Sequence, residues 1–286
     1  MTKKIYGLIG HPVRHSLSPA MHNAAFAACG IDAEYKIYDV PPSELEQFLR
    51  NIREKGISGV NVTIPHKIEA KNFLERSGSI DDNAKRLGAV NTIKVMEDGR
   101  LLGSNTDGPG FYTSLIEDLK FEPEGKSVFV LGAGGAATAI VMYLGKAPRK
   151  IFILDVDKKK TKDLVDRYEK YYGDSRIAAA DEKDLKASID SSDLLINATP
   201  IGMKEGDPSP VKKEMMHTGL RVYDMVYNRP VTELVREANS LKLHAVNGLG
   251  MLLYQGAIAF ESWTGVKAPV AVMRRALREA LKEQKG

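Results

Sequence analysis

The sequence predicts an α/β protein with two domains, one discontinuous along the chain and one built as a doubly wound parallel sheet. The chain of 286 residues is longer than most single domains. Short apolar segments alternate with amphipathic segments, as expected for strands joined by helices. A glycine-rich turn between an apolar segment and a helical one opens the second half of the series, which is typical of the doubly wound class.

The first series contains predicted strands at 4–10, 33–40 and 59–65, helices at 18–30, 43 to about 56, 67–75 and 80–87, and a hairpin of 90–96 with 100–105. Ser18 is the predicted N-cap of the first helix because Pro19 follows it at the first helical position. Ser43 and Glu46 have the spacing of a capping box, which predicts the start of the second helix. The series therefore indicates a mostly parallel sheet with an appended hairpin.

The second series contains predicted strands near 126–131, 150–155, 176–180, 193–200 and 221–227, separated by helical or loop segments. Two long helical patterns, 249–263 and 268–284, follow the last strand. Because these helices come after all the predicted strands of the second series, we expect them to pack on the first domain. The predicted domains are therefore 1–107 plus 247–286, and 108–246.

Composition excludes several classes of protein. The chain is 43% hydrophobic and 27% charged, and its net charge of +4 includes no long basic block, so nucleic acid is not an expected partner. No segment reaches the roughly 18 to 20 apolar residues of a membrane span. A single cysteine, Cys29, and an N-terminus that reads as a strand rather than a signal peptide predict a cytoplasmic protein. The six histidines show no metal-ligand spacing, so we expect no metal site.

The glycine-rich turn predicts a dinucleotide site. It follows an apolar strand and opens a helix, so backbone N–H groups and the helix N-terminus can approach a pyrophosphate. A tight turn that binds no ligand is the alternative. The motif matches GxGxxA, and its predicted cofactor-binding residues are Gly132, Ala133, Gly134, Gly135 and Ala136.

An acidic residue, Asp155, ends the next predicted strand, close to the spacing of about 20 residues at which an acid binds the adenosine ribose. Its carboxylate accepts hydrogen bonds from the ribose hydroxyls and repels a 2′-phosphate. The sequence therefore favours NAD over NADP. NADP stays possible because Lys158, Lys159 and Lys160 lie just beyond.

Two charged residues follow strand ends in the first domain. Lys67 stands in NVTIPHK, just past the proline that ends the third strand, and Asp107 stands in SNTDGPGF, where the hairpin ends. A lysine at such a place is ordinarily a solvated surface residue. A structural salt bridge between strand ends is a second simple interpretation of this pair.

These two motifs occur together with HSLSP (15–19), GAVNT (88–92), YNRP (227–230) and GLGMLLYQGAIAFE (248–261). The set resembles the shikimate dehydrogenase family, including its quinate-using members, in order and over essentially the whole chain. The resemblance implies reversible hydride transfer between NAD(P) and the 3-dehydroshikimate/shikimate pair. It implies that Lys67 and Asp107 are catalytic, because a lysine held by a carboxylate can relay the proton of the reacting oxygen. Which of the two carries the proton stays open.

The resemblance also assigns binding residues. The substrate carboxylate is expected at Ser16 and Ser18, with Tyr227 assisting. The ring hydroxyls are expected at Asn61, Thr63, Asn91 and Gln255. The nicotinamide pocket is expected at Thr199, Met225, Gly248 and Met251. Taken alone, the serines also suit a helix start and the methionines suit a core.

One segment departs from the family pattern. Many members carry Asn-Arg-Thr after the second cofactor strand, with the arginine on the NADP phosphate, whereas this chain has Asp155, Val156 and Asp157. The missing arginine favours NAD, as in quinate/shikimate members. A substrate domain and a Rossmann domain are then expected to hold the reaction in the cleft between them, in a monomer or a homodimer.

Three alternatives remain. The first is a quinate dehydrogenase of the same family, which would differ in how it accommodates the carboxylate end of the substrate, near Ser16 and Ser18. This alternative includes an enzyme that uses both quinate and shikimate. A non-catalytic ligand sensor predicts the loss of Lys67 or Asp107, and both are present. A folate or amino-acid dehydrogenase would share GxGxxA without the other motifs.

Overall fold

The computed structural model describes residues 3–284. The chain divides into two compact units. The first unit contains the residues up to Gly110 and those from Leu253 onward, and the second is Phe111–Leu252. Both boundaries fall within helices, α5 (Asp107–Glu117) and α10 (Leu249–Thr264), a few residues beyond the boundaries expected from the sequence.

The described part of the first unit contains a six-stranded mixed sheet with the order β2-β1-β3-β5-β6-β4. Its strands are β1 (Lys4–Gly10), β2 (Ala33–Asp39), β3 (Ile57–Val62), β4 (Ser79–Ile80), β5 (Thr92–Val95) and β6 (Leu101–Ser104). Strand β1 pairs in parallel with β2 and β3, whereas β5 is antiparallel to β3 and β6. The carboxyl ends of β1, β3 and β6 therefore lie at the same edge of the sheet. The predicted parallel sheet with an appended hairpin is confirmed.

The first unit also contains α1 (Ser18–Ala28), α2 (Leu45–Arg50), α3 (Lys67–Ser77), α4 (Asp82–Leu87) and α11 (Val270–Glu283). Val60 and Val62 of β3 pack in one buried cluster with Leu49 of α2 and Leu74 of α3. Burial of such side chains contributes about 1.5–3 kcal/mol each. This cluster packs the end of β3 against α3, the helix that begins at Lys67.

Two predicted helix caps are wrong. Ser18 is not the N-cap of α1, because Leu17 holds that position and the hydroxyl of Ser16 accepts the Ser18 N–H at 3.2 Å. The capping box of Ser43 and Glu46 does not form, since a 3₁₀ turn (Pro42–Glu44) precedes α2 and Glu46 instead pairs with Arg50. Neither serine side chain forms the predicted cap hydrogen bond.

The described part of the second unit contains a six-stranded sheet in which every pairing is parallel, with the order β12-β11-β10-β7-β8-β9. Its strands are β7 (Ser127–Leu131), β8 (Lys150–Leu154), β9 (Ile177–Ala179), β10 (Leu194–Asn197), β11 (Arg221–Asp224) and β12 (Ala245–Asn247). Its helices are α6 (Gly135–Leu144), α7 (Lys158–Tyr172), α8 (Leu185–Asp190) and α9 (Glu233–Ser240). This is the Rossmann strand order, with the order reversing between β7 and β10, and it confirms the predicted doubly wound fold.

None of the helices within residues 3–284 is long and apolar enough to cross a membrane. The same residues contain no group of three or more His, Cys, Asp or Glu side chains placed to hold a metal ion.

Candidate active site

Lys67 and Asp107 form an ion pair at one edge of the first sheet. Lys67 is the first residue of α3, after β3, and Asp107 is the first residue of α5, after β6. Because β3 and β6 end at the same edge, the two side chains meet, and Lys67 Nζ donates to Asp107 Oδ2 at 2.7 Å. The side chains are only 30% and 11% exposed. Lys67 is therefore not a solvated surface lysine.

Asn91 fixes the carboxylate of this pair. Its Nδ2 donates to Asp107 Oδ1 at 2.8 Å and to Thr106 Oγ1 at 3.0 Å. Its Oδ1 accepts the backbone N–H of Thr106 at 2.8 Å. Each oxygen of Asp107 thus has its own donor, one from Lys67 and one from Asn91. An ionised carboxylate held by two donors keeps a defined orientation.

Asn61 belongs to the same buried network. Its Oδ1 accepts the hydroxyl of Tyr35 at 2.8 Å, and its Nδ2 donates to Thr92 Oγ1 at 3.0 Å. Thr92 in turn donates to Asn91 Oδ1 at 2.9 Å. Sequence reasoning missed Tyr35 and Thr92. Thr92 is adjacent to Asn91 in GAVNT, but nothing in the local pattern of β2 distinguishes Tyr35.

The remaining predicted substrate residues of the first unit lie on three further segments. Ser18 is buried at the start of α1, and Ser16 is half-buried beside it. Thr63, half-buried after β3, has a methyl group so close to Gly10 that a Cβ there would lie 2.5 Å from it.

Gln255 is buried on α10. A side chain at Gly110 would meet the Gln255 backbone N at 2.5 Å, so glycine permits α5 and α10 to approach within this unit.

The glycine-rich turn of the second unit fits a dinucleotide pyrophosphate. Gly132 has a φ of +104°, and a Cβ there would lie 2.8 Å from the carbonyl oxygen of Ala198. A Cβ at Gly134 or Gly135 would meet no atom within 4 Å, so the space over the turn is open. Gly134 is the N-cap of the ten-residue helix α6 and provides no side-chain acceptor. The first N–H groups of α6 therefore lack a side-chain cap and suit an anion.

Asp155, directly after β8, is tied to this turn. Its Oδ2 accepts the N–H of Ala133 at 2.7 Å, and its Oδ1 accepts the N–H of Asp157 at 2.8 Å. A carboxylate has about four acceptor positions, so further positions remain for ribose hydroxyls. Val156 is 93% exposed beside it. Asp157 is the N-cap of α7 and accepts the N–H of Lys159 at 3.0 Å.

The predicted nicotinamide residues follow the carboxyl ends of β10, β11 and β12, which lie on one side of β7 in the sheet. Thr199 donates to Asn197 Oδ1 at 2.7 Å, and Met225 N–H donates to the Asn197 carbonyl at 2.9 Å. A Cβ at Gly248 would lie 2.2 Å from the carbonyl oxygen of Met225, so this position requires glycine. Met251 is half-buried on the first turn of α10. These four residues therefore gather at the edge that carries the glycine-rich turn.

A buried carboxylate supports these loops. Asp224 accepts hydrogen bonds from Asn197 Nδ2 at 2.9 Å, Thr232 Oγ1 at 2.6 Å and the N–H of Val226 at 3.1 Å. Burial raises the pKa of Asp224, and these hydrogen bonds oppose the rise. Tyr227, three residues further, is exposed.

Two family models match this chain. The shikimate dehydrogenase substrate-binding domain matches residues 8–93, and the shikimate 5′-dehydrogenase C-terminal domain matches residues 248–278. A curated shikimate dehydrogenase (NADP(+)) of Methanopyrus kandleri is 43% identical over 282 residues, which cover 97% of this chain and 96% of the relative. Seven further curated relatives, 40–45% identical, carry the same name.

Solved structures of shikimate and quinate dehydrogenases are also similar to this chain. Shikimate 5-dehydrogenase from Listeria monocytogenes, in complex with shikimate and NAD, matches with a TM-score of 0.87 and 33% identity, over 96% of each chain. Quinate dehydrogenase from Corynebacterium glutamicum, in complex with NAD, matches with a TM-score of 0.89 and 28% identity, over 97% of this chain and 99% of that one. Identity above 40% over nearly the full length, together with this shared architecture, makes the chain a member of the shikimate dehydrogenase family.

Proposed function

We propose that the protein is a shikimate dehydrogenase that interconverts shikimate and 3-dehydroshikimate with NAD, and that Lys67 and Asp107 are its catalytic residues. The observation that carries the proposal is the partly buried ion pair of 2.7 Å, held on both carboxylate oxygens, in a chain whose curated relatives are named shikimate dehydrogenases. A purely structural salt bridge needs no partly buried position beside hydroxyl and amide side chains at the carboxyl ends of strands.

The proposed chemistry is a proton transfer coupled to a hydride transfer. When bound, the nicotinamide dinucleotide accepts or supplies the hydride at the carbon that bears the reacting oxygen. Lys67 Nζ has donor capacity beyond its bond to Asp107 and donates to that oxygen. During oxidation the alcohol proton passes to the ion pair, and during reduction the pair returns it. Asn91 keeps Asp107 in place throughout this exchange.

Substrate binding is assigned to the first unit. Ser16 and Ser18, at the start of α1, bind the carboxylate, since hydroxyls and the first N–H groups of a helix both favour an anion. Neutral hydroxyl and amide groups at Asn61, Thr63 and Gln255 suit a ring that carries several hydroxyls. A substrate with a mismatched hydroxyl leaves buried polar groups unpaired and is disfavoured. The role of Tyr227 at the carboxylate stays a prediction from the sequence.

The preference for NAD rests on Asp155 and Val156. The carboxylate of Asp155 stands at the strand end where a 2′-phosphate would otherwise be bound, and the adjacent exposed side chain is aliphatic. The Listeria and Corynebacterium structures contain NAD, whereas a solved shikimate dehydrogenase that is 40% identical to this chain contains NADP+, and the curated relatives are named for NADP(+). Lys158, Lys159 and Lys160 are the groups that would support NADP instead.

Quinate is the second candidate substrate, because the quinate dehydrogenase of Corynebacterium glutamicum shares this architecture. Two serines at the carboxylate site, rather than a serine and a threonine, favour shikimate. A cytoplasmic location and a monomeric or homodimeric state stay predictions from the sequence.

The test is a set of initial rates with shikimate or quinate as substrate and NAD or NADP as cofactor. We expect shikimate with NAD to be fastest. Lys67→Ala should lower kcat by on the order of 10²–10⁴. The matched control is Lys71→Ala, one turn further along α3, where the lysine pairs with Glu75. Equal activity of Lys67→Ala and wild type would contradict the catalytic assignment.

The other outcomes are equally specific. A higher kcat/KM with NADP would overturn the Asp155 argument and assign the lysines of α7 to the phosphate. A higher kcat/KM with quinate would reverse the substrate preference. No turnover in any combination would favour the ligand-sensor alternative.

A further inference from the structure

A single chain of hydrogen bonds runs through the buried side of the first unit to the Lys67–Asp107 ion pair, and every donor in it points the same way. The Tyr35 hydroxyl donates to Asn61 Oδ1, and Asn61 Nδ2 donates to Thr92 Oγ1. The Thr92 hydroxyl donates to Asn91 Oδ1, and Asn91 Nδ2 donates to Asp107 Oδ1. Donors aligned toward a carboxylate polarise one another, which strengthens the chain.

Tyr35 begins this chain and is held on several sides. Its backbone N–H donates to Asn23 Oδ1 at 2.8 Å, and its carbonyl accepts from Asn23 Nδ2 at 3.2 Å. Strand β2 is one of the two edge strands of the sheet, so Asn23 bonds peptide groups that an edge leaves unpaired. The Tyr35 ring stacks on His22 with a centroid distance of 4.4 Å and an interplanar angle of 5°, and it lies near Trp263. The hydroxyl is thereby placed by rigid neighbours.

The Tyr35 hydroxyl contacts one residue of the proposed substrate site. It donates to Oδ1 of Asn61, the residue assigned to a ring hydroxyl, at 2.8 Å. Tyr35 and Asn61 lie in the same unit as the ion pair.

We propose that Tyr35 is a positioning residue for substrate recognition, whose hydroxyl sets the orientation of the Asn61 amide. The inference rests on the proposed function. An asparagine amide has a donor end and an acceptor end of nearly the same shape, so its partners alone decide which end faces which way. Without the phenol hydroxyl, Asn61 Oδ1 loses its donor in a buried place, and the amide can present the wrong group to a ring hydroxyl.

Tyr35→Phe tests this, because it removes the hydroxyl and keeps the ring. We expect the KM for shikimate to rise by on the order of tenfold, as for one unsatisfied buried polar group. The KM for the dinucleotide should not change, since the glycine-rich turn lies in the other unit, and kcat should change much less than the shikimate KM. The matched control is Tyr168→Phe in the second unit, which removes another buried hydroxyl, one that donates to the Gly145 carbonyl at 2.7 Å.

A shikimate KM within twofold of wild type, or an equal effect of Tyr168→Phe, would overturn the proposal. If Tyr35→Phe does not fold, two variants of Thr92 test the proposal instead. Thr92→Val removes the next hydroxyl of the hydrogen-bond chain, and Thr92→Ser retains it. A raised shikimate KM in Thr92→Val that Thr92→Ser restores supports the proposal, and no rise in Thr92→Val overturns it.

A readout without turnover separates this inference from the proposed function. In ¹⁵N-asparagine-labelled protein, Tyr35→Phe should accelerate hydrogen exchange of the Asn61 side-chain amide, and Tyr168→Phe should not. Unchanged exchange overturns the role of Tyr35. If wild type lacks activity, the proposed function fails, and the exchange result still decides whether Tyr35 positions Asn61.

Discussion

The buried imidazole of His22 is expected to lower the stability of the folded protein at acidic pH. His22 lies on α1 inside an aromatic cluster, fully shielded from solvent, and neither ring nitrogen has a hydrogen-bond partner. Burial lowers the pKa of His22 from 6.5 to about 3, because the protonated ring would be a buried charge without a partner. The folded protein therefore keeps His22 neutral through most of the acidic range.

The magnitude follows from these two pKa values. Between pH 6.5 and about pH 3, His22 binds a proton in the unfolded chain and not in the folded one. The free energy of unfolding that depends on a neutral His22 is therefore fully present above pH 6.5, and it is progressively lost as the pH falls below 6.5. Each pH unit within this window corresponds to about 1.4 kcal/mol. Between pH 7 and pH 5 the loss due to His22 is thus about 2 kcal/mol.

The assay is urea unfolding of wild type and His22→Leu at pH 7 and pH 5. Trp263 is the single tryptophan, and its ring centroid lies 5.4 Å from that of His22, so its fluorescence follows unfolding of the first unit. The decrease from pH 7 to pH 5 should be about 2 kcal/mol smaller in His22→Leu than in wild type. His15→Gln, which removes an exposed histidine of the same unit, is the control and should match wild type. Equal decreases in wild type and His22→Leu would refute the reasoning.

Two further predictions concern the site. Asn91→Ala removes the donor to Asp107 Oδ1. We therefore expect kcat to fall by on the order of a hundredfold, as for a misplaced catalytic group, while the KM for the dinucleotide stays unchanged. An unchanged kcat would contradict this prediction. Gly132→Ala places a Cβ 2.8 Å from the Ala198 carbonyl oxygen at a φ of +104°, so calorimetry should find NAD binding at least about tenfold weaker. Gly173→Ala, at a φ of +59° with no atom within 4 Å, is the matched control and should bind NAD like wild type, whereas equal weakening would show that the clash is irrelevant.

Element types were predictable from the sequence because they depend on local periodicity. The apolar run that forms β7 and the glycine turn after it define a strand and a helix start within about 20 residues. The cap assignments at Ser18 and Ser43 were wrong, because a short hydroxyl side chain can bond any of several nearby backbone groups.

The candidate site was predictable in part. The pairing of Lys67 with Asp107, 40 residues apart, was expected from the resemblance to the shikimate dehydrogenase family. The structure adds that both residues follow strands that end at one edge of the sheet, where their side chains bond. Asp155 was expected only to face a ribose, and the structure adds that it bonds the N–H of Ala133 in the glycine-rich turn. Such a bond depends on strand pairing, which local pattern does not encode.

The sequence by itself determined the α/β class, the glycine-rich turn and the residue types available for acid–base chemistry. Tertiary structure alone decided that Asn91 bonds Asp107 and that Tyr35 and Thr92 join Asn61 to this pair. The physical reason is that a hydrogen bond requires its two groups within about 3 Å. For side chains on β2, β3 and β5, that distance is set by sheet order and register, which arise only when the whole unit folds.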